Sequence, residues 1–250
     1  MKSTRVPLIR RTAAAVACAA VLLPLTACND SAVEADGGGK SSHGTGSQGG
    51  AKPNGVDKLD GKEIYNKGRQ ANADAGSFRE QMERPNAKSD LRLSATECVG
   101  TVDLKDRGSF QTIRKGNEAW AKVDAKFASW AQQGGESIPA GKWMHGDLNN
   151  EVIKALTSYC HFEQFTKPDK ASGEMAKGQV ATVDGASVVP LTHKANGKSV
   201  TYYVATTGTP NLVKMDSSEG AVTPDIVYSE FGVAVGAKAP AGPIVEAPQG

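Results

Sequence analysis

The sequence predicts an α+β fold: a single antiparallel sheet packed on a few helices. Three observations predict it. One well-marked helix opens the ordered region, short alternating segments joined by turn signals follow, and a helical middle separates them from a second run of such segments. All three Trp, five Tyr and six Phe lie between Tyr65 and Phe231. The folded domain is therefore placed at residues 56–236, long enough to bury one core.

The chain begins with a leader. Lys2, Arg5, Arg10 and Arg11 form a basic stretch without an acid, and the apolar run TAAAVACAAVLLP at 12–24 is too short to span a bilayer comfortably. Leu25-Thr26-Ala27-Cys28 follows without a gap. These four positions resemble the lipobox of bacterial lipoprotein signal peptides, in which a Leu and two small residues precede the modified Cys. The resemblance implies cleavage between Ala27 and Cys28 and a diacylglyceryl group on the Cys28 sulfur, which anchors the protein on the extracytoplasmic face of the cell membrane. An ordinary secretory signal with a chance cysteine is the alternative.

Residues 1–27 are read as signal peptide and residues 28–55 as the lipidated Cys plus a tether. Residues 29–55 hold eight Gly and no aromatic residue, so they cannot bury a core. Within them Gly44-Thr45-Gly46-Ser47-Gln48-Gly49 satisfies G-x-G-x-x-G. It has no strand before it and no helix after it, so it is not a dinucleotide site. The chain has 29 Lys+Arg against 27 Asp+Glu, and four of the basic groups belong to the leader. The mature protein is slightly acidic, which excludes a nucleic-acid partner. No second long apolar run occurs, which excludes a multi-span membrane protein.

The elements follow in order. Asp60 with Glu63 makes a capping box, Ile64, Tyr65, Gly68, Ala71 and Ala75 share a helical face, and Gly76 stops the helix. Leu91, Leu93, Ala95 and Val99 alternate with polar residues, predicting a strand. Residues 109–115 and 118–124 read as a hairpin turned at Gly116-Asn117. Residues 125–133 are amphipathic and stop at Gly134-Gly135, and Val152, Ile153, Leu156 and Tyr159 mark a helix within 149–159. Five strands are expected at 179–183, 186–191, 199–206, 212–216 and 226–231. Asp184-Gly185, Asn196-Gly197, Gly208-Thr209-Pro210 and Glu219-Gly220 supply the turns between them. The Pro-bearing tail, residues 237–250, is expected to be extended or frayed.

The run Val183-Asp184-Gly185-Ala186-Ser187-Val188-Val189-Pro190-Leu191, then Tyr202-Tyr203-Val204-Ala205-Thr206-Thr207-Gly208-Thr209-Pro210 and Val213-Lys214, is similar to the C-terminal half of actinobacterial LppX/LprG-type lipoproteins. Gly141-Lys142-Trp143 and the element order agree with it. The resemblance implies a LolA/LolB-like half-barrel, a curved antiparallel sheet closed by helices on its concave side, whose cavity holds acyl chains. A lipid or other apolar ligand is the implied partner. The chain departs from the pattern in carrying Cys98 and Cys160, and it has no long apolar lid.

Cys98 and Cys160 are the only cysteines of the mature domain, and an exported protein most simply pairs them. Two free thiols or a redox pair are the alternatives, without a C-x-x-C to favour them. Closing this loop stabilises by about 4 kcal/mol in the chain-entropy model. No G-x-S-x-G, H-E-x-x-H, Walker A or S-x-x-K constellation occurs, so the protein is read as a non-enzyme. His145 with Asp147, and His161 with Glu163, each offer two metal ligands where zinc needs three or four. No metal or cofactor is expected. Trp120, Tyr202 and Val204 are the candidate ligand residues, Tyr203 lying on the opposite strand face from Tyr202 and Val204. An envelope interaction module with a filled core and a protein or glycan partner is the alternative function.

Overall fold

The structure, a computed structural model, describes residues 52–167, 175–195, 198–217 and 224–249. The leader, Cys28 and nearly all of the tether lie outside the described residues, as do the turn dipeptides Asn196-Gly197 and Glu219-Gly220. No described helix is long and apolar enough to cross a membrane.

The first long element is α1 (Gly61–Ala75). Asp60 Oδ1 accepts from Glu63 N at 2.8 Å and Glu63 Oε2 from Asp60 N at 3.4 Å, the reciprocal cap written in the sequence. Gly76, at φ 73°, ends the helix in the left-handed region. Strand β1 (Ser77–Arg84) follows immediately and has no counterpart among the sequence expectations. The single strand expected across Leu91–Val99 is in fact two, β2 (Ala87–Ser94) and β3 (Glu97–Asp103). Ser94 Oγ accepts from Glu97 N at 2.9 Å and closes a turn at Ala95-Thr96. That turn reverses the parity, so Leu91 and Leu93 face inward on β2 but Cys98 and Val102 do so on β3.

The chain continues through β4 (Ser109–Lys115), β5 (Glu118–Val123), α2 (Ala125–Gln133), β6 (Trp143–Asp147), α3 (Glu151–Leu156) and α4 (Phe162–Thr166). Asp124 caps α2 and Asn150 caps α3. The last third holds β7 (Met175–Lys177), β8 (Ala181–Val183), β9 (Ala186–Ala195), β10 (Lys198–Ala205), β11 (Leu212–Ser217) and β12 (Asp225–Ser229). The tail is extended where it forms β13 (Ile244–Glu246).

These strands make one curved, unclosed sheet in the order β13-β6-β5-β4-β3-β2-β1-β12-β11-β10-β9-β7, with β8 on β9. Every pairing is antiparallel except β13 with β6. Two meanders, β1 to β6 and β9 to β12, therefore meet at the β1–β12 seam, where Glu80 stands opposite Tyr228 and Met82 opposite Ile226.

The helices cover one face. α1 lies on β10, β11, β1 and β7 and touches α4; α3 lies on β5 and β6; α2 lies on β4. Two features seat α1. Gly68 permits a close approach, since a Cβ there would stand 2.9 Å from Val204 Cγ2. Buried Asn72 donates to Leu212 O at 3.0 Å and accepts from Leu212 N and Asn211 Nδ2 at 3.1 Å, so it replaces strand-edge partners on β11. A disulfide between Cys98 and Cys160, Cα–Cα 5.8 Å, ties β3 to the segment joining α3 and α4. The uncovered face carries charges paired diagonally across strands. Arg79 pairs with Asp90 at 2.5 Å, and Arg92 with Glu230 at 2.7 Å.

Candidate functional site

A cavity of about 610 Å³ lies between the sheet and the helices at the seam of the two meanders. Strand register sets its floor: Met82 on β1, Ile226 on β12, Met215 on β11 and Tyr202 on β10 stand side by side in one row across four strands. Glu80 and Tyr228 begin the next row. Tyr65 and Arg69, one turn apart on α1, and the stretch from Ser158 to Phe165 make the roof. The volume falls in the roughly 300–1,000 Å³ range of ligand pockets.

The lining is amphipathic. Arg69 Nη1 donates to Tyr65 Oη at 2.6 Å and Nη2 donates to the Gln164 carbonyl, while Nε has no partner among the described residues. The Tyr65 ring in turn leans on Tyr202, centroids 4.7 Å apart. Arg84, at the far end of β1, also has a buried Nε without a partner among the described residues. Neither guanidinium is ion-paired there. Glu80, 3% exposed, has no hydrogen bond within the described chain, and burial pushes its carboxyl up to about 8. Burial likewise holds the His161 imidazole below its ordinary value, and it raises the Tyr228 phenol well above its own. At neutral pH Glu80 and His161 are thus uncharged, and Arg69 and Arg84 are the charged groups of the wall.

The structure separates the three candidate ligand residues. Tyr202 lines the cavity. Val204 does not: it is fully buried under Gly68, with no free space in front of it. Trp120 is a correction of a different kind. The inward residues of β5 are Ala119, Ala121 and Val123, so Trp120 points to the opposite face and packs on His145, centroids 5.3 Å apart. His145 itself is held by Glu118 at 2.5 Å and Glu246 at 3.4 Å, which raise its pKa. Sequence reasoning missed Arg69, Glu80, Arg84 and Gln164, because an inward Glu or Arg reads as solvent-facing.

A second hollow, about 490 Å³, lies between α2 and α3. Its walls include Phe127, Trp130, Ile138, Val152 and Leu156 and no strand residue. Arg107 stacks over the half-exposed Trp130 ring at 5.1 Å.

A curved, unclosed sheet with a cavity under its helices defines a half-barrel of the LppX/LprG type, the fold that the sequence resemblance implies. One crystal structure shares it, and a second is more distantly similar. LprF from Mycobacterium bovis matches with a TM-score of 0.51 at 12% identity, over 73% of this chain and 97% of that one. The Mycobacterium tuberculosis lipoprotein LppX matches with a TM-score of 0.45 at 15% identity, over 70% and 98%. No protein-family model and no curated protein matches the sequence.

Proposed function

We propose that this protein is a membrane-anchored, extracytoplasmic lipoprotein that binds or carries an acyl-chain ligand in the cavity, without catalysing a reaction on it. The carrying observation is the cavity of about 610 Å³ at the seam of the two meanders, where ordinary packing would have filled the space. The row Met82, Ile226, Met215 and Tyr202 offers an acyl chain a continuous apolar floor. Burial there stabilises by about 25 cal/mol per Å² of apolar surface removed from water. The lipobox at Leu25-Thr26-Ala27-Cys28 supports the anchor and the compartment. Native mass spectrometry of residues 28–250 carrying Cys28→Ser, purified without detergent, tests the reading. A co-purifying lipid, lost in the cavity-filling variant Met215→Trp, is the expected result. Protein of bare polypeptide mass that also refuses added lipid would replace it with a filled interaction module.

A further inference from the structure

The cavity has one property that an acyl-chain carrier does not need: a fixed cation in its wall, without a counter-charge among the described residues. Arg69 is 9% exposed and is oriented from two sides, by the Tyr65 hydroxyl and by the Gln164 carbonyl. Both partners are neutral, so among the described residues its charge is left uncompensated. A buried charge without a counter-charge is costly, and a guanidinium with free donors matches an oxyanion in geometry as well as sign.

The groups around it are neutral donors. Glu80 stands opposite Tyr228 in the sheet, the Tyr65 ring leans on Tyr202, and Arg69 donates to the Tyr65 hydroxyl, which gathers these side chains in one part of the cavity. With its proton retained, the Glu80 carboxyl offers an O–H and adds no negative charge. The titratable groups facing that part are Arg69 and Tyr65 from α1, Tyr202 from β10 and Tyr228 from β12. His161 lines the same cavity from the segment before α4. Arg84 stands four residues along β1 from Glu80, about 13 Å away, and adds a second positive charge at the other end. The apolar row of Met82, Ile226, Met215 and Tyr202 runs beside this polar cluster.

Resting on the carrier reading, we infer that the ligand is an acidic amphiphile, its acyl chain on the Met82–Ile226–Met215 row and its ionised phosphate or carboxylate held by Arg69 with the Glu80 and Tyr228 hydroxyls as further donors. Long-chain esters or alcohols then bind less well than an acid of equal chain length, because a neutral head leaves the Arg69 charge unmatched.

The test compares hexadecyl phosphate, hexadecanol and inorganic phosphate, each displacing N-phenyl-1-naphthylamine from residues 28–250 carrying Cys28→Ser, near pH 7 and below micelle formation. The expected result is a preference for hexadecyl phosphate over hexadecanol of about tenfold or more, with inorganic phosphate a weak competitor. Arg69→Gln is expected to collapse that ratio towards one, and Arg69→Lys to keep most of it. The ratio is measured within one sample, so a loss of folded protein does not imitate the effect. Equal affinity of the wild type for the two amphiphiles overturns the inference and leaves the carrier reading standing. Displacement by inorganic phosphate as strong as by hexadecyl phosphate also overturns it, since the site then recognises an anion without a chain. If neither amphiphile binds, the carrier reading fails and the inference falls with it.

Discussion

Replacing Glu80 by Gln is expected to make the protein more stable at alkaline pH and to leave it unchanged near pH 4. The carboxyl is 3% exposed, and burial raises its pKa from 4.5 to about 8. The folded protein therefore holds a proton that the unfolded chain releases between those two values. Where the native state binds more protons than the unfolded state, stability falls as pH rises. At about 1.4 kcal/mol per pH unit the loss is about 3 kcal/mol by pH 7 and about 5 kcal/mol once pH passes 8. Below 4.5 both states are protonated and nothing is lost. Gln has the shape and donor capacity of the protonated acid and does not titrate. The difference between variant and wild type should therefore open from near zero at about pH 4 to about 5 kcal/mol at pH 9. For a domain of this size that is about 10–20 °C in melting temperature. Guanidinium unfolding followed by tryptophan fluorescence across this range measures it, with the disulfide kept intact. Parallel pH–stability curves for the two proteins would refute the reasoning, because they would mean that Glu80 is solvated in the native state.

Four further outcomes are expected. Asn72→Ala should cost about 3 kcal/mol in denaturant unfolding, since it strands the Leu212 N–H and C=O and the Asn211 amide under α1. Replacing Cys98 and Cys160 together by Ser should lower stability by about 4 kcal/mol, seen as a melting temperature about 10 °C lower than that of the oxidised protein. Met215→Trp, which projects into the cavity, should reduce lipid uptake with little loss of stability, whereas Val204→Trp, packed under Gly68, should destabilise by about 1–3 kcal/mol. Cys28→Ser should move the protein from the membrane fraction to the medium or leave its leader uncleaved, and equal membrane retention of the two forms would count against the anchor.

What the sequence disclosed follows from where polar residues were free to speak for themselves. The α1 cap, the turn at Gly116-Asn117 and the strands at 109–115 and 118–123 were legible because apolar residues face the core and polar residues face water there. β1 was not legible. Its outward Arg79 and Glu83 engage cross-strand partners, and its inward Glu80 and Arg84 line the cavity, so Ser77–Arg84 carries charges on both faces and no period of two. The same residues that hid the strand make the candidate site, which is why the site stayed hidden as well. Trp120 was misplaced for the converse reason: an aromatic residue on an outer face, covered by His145, reads like core.

The parallel strand β13 has a consequence for the behaviour of shortened chains. It runs beside β6, Ile244 opposite Trp143 and Glu246 opposite His145, and Asn150 Nδ2 fastens the chain just beyond it by donating to Pro248 O at 2.9 Å. A chain cut before Ile244 would present the Trp143–Asp147 backbone as a free edge with unpaired N–H and C=O groups. Such an edge is a template for strand pairing between molecules. Residues 244–249 thus act as a covering strip, and a truncated protein should self-associate with rising concentration while its cavity, at the β1–β12 seam five strands away, remains intact.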